Sequence, residues 1–269
     1  MTEKKQESIV DNREIIDQVI HLLKETRPLF FNSDMASHIR EKGLADFVTD
    51  VDMRVQDFVK QGLEKIIPGT QFMGEEKDNT EIDFSSDFWI LDPVDGTTNL
   101  IHDYRQSAVS LALCEQGQVV MGMVYQPYTQ ELFMALKGKG AWLNGTPIHV
   151  SAREKLEESL ISIGTSPYRK ELAEENFKYF QNVFMRCEDI RRGGSAAIDL
   201  AYVACGRTEA YFERNLKPWD YAAGMLLVEE AGGSVTNYHG DVVGVSAPSD
   251  IVAGNRKIGK ILVEEVLAE

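Results

Sequence analysis

Between residue 88 and about residue 135 the chain breaks into short runs rich in branched and aromatic residues, and this stretch constrains the fold more than any other. Phe88 to Leu91, Ala108 to Leu113, Val119 to Tyr125 and Glu131 to Ala135 read as strands, with Glu115-Gln116-Gly117-Gln118 as the hairpin loop between two of them. A sheet of this kind must bury at least one face, and the flanking sequence supplies helices to cover it. Ile16, Val19, Ile20 and Leu23 mark one helical face within residues 12 to 26, where Pro28 helps to end the helix. Val55, Phe58, Val59, Leu63 and Ile66 mark a second helix, from near Asp52 to Pro68-Gly69. After a Gly-rich turn region around Lys137 to Gly145, strands at Leu160 to Ile163 and Ala210 to Phe212 alternate with helices at Ala173 to Phe184, Ala196 to Cys205, Tyr221 to Ala231 and Ile258 to Leu267. A β-meander half (about 1–148) followed by an alternating half (about 149–269) predicts sheets sandwiched between helix layers within one domain. No internal repeat, low-complexity tract or long linker divides it.

At 269 residues and 43% hydrophobic content the chain can bury a substantial core. No uninterrupted apolar stretch reaches the roughly 18 residues of a membrane span. Met1 to Asp11 is charged and polar, unlike a secretory signal, so a cytoplasmic protein is expected. Cys114, Cys187 and Cys205 are widely spaced, which suggests neither a disulfide framework nor a zinc site. A formal charge of −15 argues against nucleic-acid and anionic-membrane partners. If the substrate is an anion, divalent cations must reverse the local field before it can bind.

The chemistry concentrates in Trp89-Ile90-Leu91-Asp92-Pro93-Val94-Asp95-Gly96-Thr97-Thr98-Asn99. An apolar strand ends in two carboxylates flanking a proline, which fixes its own φ and restricts Asp92, so both carboxylates can aim at one point. With the Val94 carbonyl between them, they offer the oxygen ligands that a hard cation such as Mg²⁺ requires. Gly96 allows backbone N–H groups close to a phosphate, and Thr97 places a hydroxyl beside the metals. Taken alone, an ordinary tight turn accounts for this segment equally well.

Four further segments keep it company. Phe72-Met73-Gly74-Glu75-Glu76 is another apolar run ending in adjacent carboxylates, whose repulsion a bound cation would relieve, although a solvated charged loop also fits. Asp46 to Asp52 places Thr49, Asp50 and Asp52 at a helix start, where capping explains them in isolation. Lys217-Pro218-Trp219-Asp220 opens a helix, with Asp220 readable as a plain N-cap. Arg191-Arg192-Gly193-Gly194-Ser195-Ala196 is a glycine turn entering a helix at a capping serine, a place that binds anions or hydroxyls.

Together, in residue type, order and spacing, these five segments resemble the inositol monophosphatase family of lithium-sensitive, magnesium-dependent phosphatases, and the resemblance covers nearly the whole chain. It implies the layered α-β-α-β-α sandwich shared with the fructose-1,6-bisphosphatases, and hydrolysis of an inositol monophosphate by metal-activated water. It further implies a first Mg²⁺ held by Glu75, Asp92 and the Val94 carbonyl, and a second held by Asp92, Asp95 and Asp220. A third, weaker ion would sit near Glu75 through waters. Glu75 and Thr97, the latter backed by Asp52, would orient the attacking water. Asp95, Gly96, Thr97 and Asp220 would surround the phosphate end of the substrate. Gly194, Ser195 and Ala196 would meet substrate hydroxyls, and Glu213, seven positions before Asp220, would accept a hydrogen bond from the alcohol portion. A homodimer is likewise implied.

One departure lies in Arg40-Glu41-Lys42-Gly43-Leu44-Ala45, where animal relatives place a lysine near the third metal. Here the lysine is displaced by one position to Lys42, which weakens the third-ion expectation. Within the enzyme class the rival substrates are NADP(H) and fructose 1,6-bisphosphate, since Arg191 or Arg192 could contact a second phosphate. From another class, the rival is a non-catalytic cation-binding or regulatory protein, whose signature would be a lost ligand. The five histidines, His21, His38, His102, His149 and His239, are scattered and take no catalytic role.

Overall fold

The computed structural model describes residues 9–43 and 46–267. Its backbone is a meander that becomes an alternating α/β half, as the pattern predicts. Seven strands form the first sheet in the order Gln71–Gly74, Phe88–Asp95, Ala108–Glu115, Gln118–Gln126, Glu131–Leu136, Gly140–Leu143 and Thr146–Pro147. All neighbours are antiparallel except the first pair, which is parallel. The Gln116-Gly117 turn takes φ of 51° and 80°, the left-handed pair that a two-residue hairpin needs. The second sheet has five strands in the order Asp189–Arg191, Leu160–Ile163, Ala210–Leu216, Ser249–Gly254 and Ser234–Thr236.

Period-two alternation divides the first sheet's side chains between two cores. Trp89, Leu91, Val109, Leu111 and Leu113 face the outer helices Arg13–Glu25 and Asp50–Ile66, meeting Val19, Leu23, Val55, Val59 and Leu63. Phe88, Ile90, Ala108 and Ala112 face the opposite way, onto the helices Ala196–Ala204 and Pro218–Glu230. These two helices are apolar nearly all round because sheet covers them on both sides, with Tyr211, Ile251 and Ala253 of the second sheet in the same core. Phe212, Ile161 and Val252 point away from it, under the helices Ala173–Phe184 and Arg256–Ile261. The layers therefore run α-β-α-β-α.

Several elements differ from the sequence reading. The first long helix stops at Glu25, and Pro28 lies inside a short Arg27–Phe30 helix instead of beyond a chain turn. Ile39–Gly43 and Asp46–Thr49 form a hairpin, while Leu44 and Ala45 of the departure noted above lie outside the described residues. The Gly-rich region near Lys137 contains the strand Gly140–Leu143. Among the described residues no helix is long and apolar enough to cross a membrane.

Candidate active site

A bulge brings the paired acids to one side. Asp92 lies opposite Ser110 and Asp95 opposite Ala108, so three steps on one strand oppose two on the other. On a regular strand, side chains three apart face opposite ways; the extra residue turns Asp92 and Asp95 to the same face. Pro93 is at home there, having no N–H to give to the ladder. The second sheet repeats the device, with Glu213 opposite Ile251 and Leu216 opposite Ser249. Asn215 between them takes φ of 57°, and Glu213 and Leu216 both reach the same cleft.

That cleft, about 140 Å³, lies where the two sheets and the central helices meet. Glu75, Asp92, Val94, Asp95, Gly96, Thr97, Gly194, Ser195, Ala196, Glu213 and Asp220 all line it, so every sequence-predicted site residue but one is on its walls. The exception is Asp52, buried behind it, whose Oδ1 accepts the Thr97 hydroxyl at 2.9 Å. The other oxygen of Asp52 accepts the backbone N–H and hydroxyl of Thr49, at 2.8 and 2.5 Å. The Thr49 hydroxyl in turn accepts the Val51 N–H, so one capping box starts the Asp50–Ile66 helix and holds Thr97. The cap of the helix and the contact with Thr97 thus use the two oxygens of the one Asp52 carboxylate.

Asp95 is fixed by the start of the Ala196–Ala204 helix. Its Oδ2 accepts the Ser195 hydroxyl and the Ala197 N–H, both at 2.6 Å, while Ser195 Oγ caps the helix by accepting the Ile198 N–H. The Ser195 hydroxyl proton is directed at Asp95. Gly96, at φ 92°, has no room for a side chain, because a Cβ there would lie 2.9 Å from the Gln106 carbonyl and 3.1 Å from that of Gly194. Asn99 stitches the two glycine turns together, donating to the carbonyls of Gln106 and Gly193. Asp220 is at N3 of its helix, not at the N-cap, and accepts the Lys217 N–H at 2.7 Å. Ser110 ties that corner to the first sheet by donating to the Trp219 carbonyl. Glu213 accepts the Ser166 N–H at 2.7 Å and the Tyr211 hydroxyl at 2.6 Å.

Lys42 reaches the acids despite its displacement. Its ammonium lies 2.8 Å from Glu75, 2.7 Å from Glu76 and 3.4 Å from Asp46. Burial pushes the Asp95 carboxyl up to about 7 against its two hydrogen bonds, and burial likewise pushes Asp52 up to about 6. Burial, then Glu75, Asp95 and Asp220, raise Asp92 well above the usual carboxylate range. Burial, then Asp95 and Glu75, raise Asp220. Glu75 is raised by burial even against Lys42, and shares a hydrogen bond with Asp92.

Four acids raised by burial, Asp92 and Asp220 further by their acidic neighbours, form a donor set suited to small hard dications. Among the described residues no three Asp, Glu, His or Cys side chains are already closed into a metal shell. Instead the carboxylates are turned onto protein donors: Glu75 onto Lys42, Asp92 onto the Val94 N–H, Asp95 onto Ser195, and Asp220 onto Lys217. The donor chemistry fits an ion, with the side chains reorienting to receive it. Sequence reading missed Gly164, Tyr168 and Asp199 on the cleft wall and left Lys42 open. Asp199 sits one helical turn past Ser195, a spacing that could have flagged it; nothing in the Gly164 to Tyr168 loop announces its place.

The profile of the inositol monophosphatase family matches residues 5–268. A protein named Nus factor SuhB from Xylella fastidiosa is 38% identical over 243 residues, covering 86% of this chain and 85% of that protein. An inositol-1-monophosphatase from Rhizobium meliloti is 40% identical over 225 residues, covering 84% of each. The crystal structure of extragenic suppressor protein suhB from Bartonella henselae superposes with a TM-score of 0.87 at 34% identity, over 95% of this chain and 99% of that one.

Proposed function

The chain belongs to the inositol monophosphatase family and is a phosphoric monoester hydrolase, and we propose that it is a magnesium-dependent phosphatase hydrolysing inositol monophosphate to inositol and phosphate. The observation that carries this reading is the convergence of Glu75, Asp92, Asp95 and Asp220, from distant stretches of chain, on one cleft. Glu75, Asp92 and the Val94 carbonyl would hold one Mg²⁺, and Asp92, Asp95 and Asp220 a second. Bound there, the ions supply Lewis acidity that activates water and offsets charge on the phosphate. The chain's own residues do the rest. Thr97 donates to Asp52, so its oxygen lone pairs are left to accept a hydrogen bond from the attacking water, whose oxygen Thr97 and Glu75 would aim at phosphorus. Backbone N–H groups of the Gly96 turn face the phosphate, and Glu213 bounds the alcohol side. The Lys42 ammonium at Glu75 supplies positive charge where a third ion would stand, which supports two sites over three.

The halves 1–148 and 149–269 act as one domain in this scheme, and a cytoplasmic homodimer is the expected form. NADP(H) and fructose 1,6-bisphosphate remain rival substrates because Arg192 lines the cleft. A regulatory role is the second reading, supported by relatives named Nus factor. Phosphate release from inositol 1-phosphate with Mg²⁺, abolished by EDTA, is the expected result. No release from any phosphomonoester at saturating Mg²⁺ would leave the regulatory reading.

A further inference from the structure

A cavity of about 190 Å³ lies in the outer core, between the Asp50–Ile66 helix and the edge of the first sheet, and shares no lining residue with the cleft. Trp89 borders it. That side chain is 1% exposed, yet its indole N–H has no hydrogen-bond partner. An indole offers a donor and nothing else, so only an acceptor can satisfy it. Buried donors left without a partner are rare in folded proteins, and the cavity beside this one is where an acceptor can enter.

Two cations meet at the same place. The Lys60 and Lys77 ammoniums lie 5.9 and 6.0 Å from the centroid of the Phe72 ring, and all three residues line the cavity. Among the described residues neither lysine forms an ion pair. Lys77 donates to the Phe72 carbonyl at 2.6 Å, which leaves its other N–H donors for a ligand. Burial, then the Lys60 ammonium, lowers the Lys77 pKa from its ordinary value, against Asp78 and Glu81. Like charges drawn together repel, and an anion bound between them relieves the repulsion. The acid on this wall, Glu64, is already turned onto the Gly69 N–H at 3.2 Å. Lys77 also borders a neighbouring cavity of about 450 Å³, but Asp78 and Glu81 stand on that wall, so the Trp89 side is the one that suits an anion.

We propose that this cavity binds a small tetrahedral oxyanion, such as sulfate or phosphate, held by the Lys60 and Lys77 ammoniums and by the Trp89 indole N–H. Thr70 adds a hydroxyl to the same wall. A lone water would satisfy the indole but leave the two ammoniums without a counterion, and the cavity has room for several waters at roughly 30 Å³ each. Trp89 precedes Asp92 by three residues, about 10 Å along the strand, and its side chain belongs to the outer core. An anion there is bound apart from the carboxylates of the cleft, and its binding does not depend on whether the cleft hydrolyses phosphate esters.

The test follows the indole N–H resonances of Trp89, Trp142 and Trp219 in ¹⁵N-labelled, Mg²⁺-loaded protein while sodium sulfate replaces sodium chloride at constant ionic strength, with Trp89→Phe assigning the Trp89 signal. That signal should move downfield and saturate in the millimolar range, while Trp219, next to Asp220, reports any sulfate in the cleft. Lys60→Gln should raise the sulfate dissociation constant roughly tenfold, the scale of one hydrogen bond to a charged group, and Lys60→Arg should restore most of the affinity. Lys60 is exposed, so the Gln variant should keep the wild-type melting temperature in chloride. Inorganic phosphate should move the Trp89 signal as sulfate does. A Trp89 signal that sulfate leaves in place overturns the proposal and makes water the occupant of the cavity. A movement that tracks Trp219 point for point places the anion in the cleft and overturns it too, as does a sulfate affinity unchanged in Lys60→Gln.

Discussion

Asp95 shows how one side chain is placed by two parts of the chain at once: a bulge turns it, and Ser195 and Ala197 hold one oxygen, while burial pushes its carboxyl up to about 7. Asp95→Asn should abolish turnover with the circular dichroism spectrum unchanged; near-normal kcat at saturating Mg²⁺ would remove Asp95 from the metal site. Thr97→Ala should cut kcat about a hundredfold or more while KM changes little. An effect confined to KM would argue against a role in aiming water. The raised acids also set a pH dependence. A carboxyl whose folded pKa exceeds its unfolded value stabilises the fold fully below the unfolded value, near 3.8, and loses that contribution as pH rises through the folded one, here about 7 for Asp95. The melting temperature of EDTA-treated protein should therefore fall between about pH 4 and 7 less steeply in Asp95→Asn than in wild type; identical slopes would exclude this origin. The four acids were legible in sequence because each ends an apolar run or opens a helix. Lys42, Tyr168 and the choice of Arg192 over Arg191 were not, since each is defined by what lies opposite it in space.

At the scale of elements, the long helices and central strands were readable because their apolar periods are strong. The hairpin strand Ile39–Gly43 was not, because its residues are nearly all exposed and show no alternation. Asp189–Arg191 and Ser234–Thr236 span three residues each, too short to carry a period. Neither bulge could be read, because an extra residue exists only relative to a partner strand. The Pro218–Glu230 helix backbone comes close to the sheet at Gly122, where a Cβ would lie 2.6 Å from the Ala223 carbonyl. Gly122→Ala should thus force the Pro218–Glu230 helix off the sheet and cost about 1–3 kcal/mol, read as a lower urea midpoint. An unchanged midpoint would mean that the helix shifts freely.

Across the whole molecule, the acids of the cleft belong to different layers: Asp92 and Asp95 to the first sheet, Glu75 to the turn after its edge strand, Glu213 to the second sheet, and Asp220 to the helix between them. An ion bridging them binds the folded state alone, so Mg²⁺ at a hundred times its dissociation constant should add about 2.7 kcal/mol of stability. A melting temperature indifferent to Mg²⁺ would contradict such bridging. The division among layers also bears on biosynthesis. A nascent chain that has emitted the strands of the first sheet still lacks Glu213 and Asp220, and lacks the helices that cover the sheet's inner face. On the reading proposed above, hydrolysis would begin only once the later segment docks and brings Glu213 and Asp220 to the cleft.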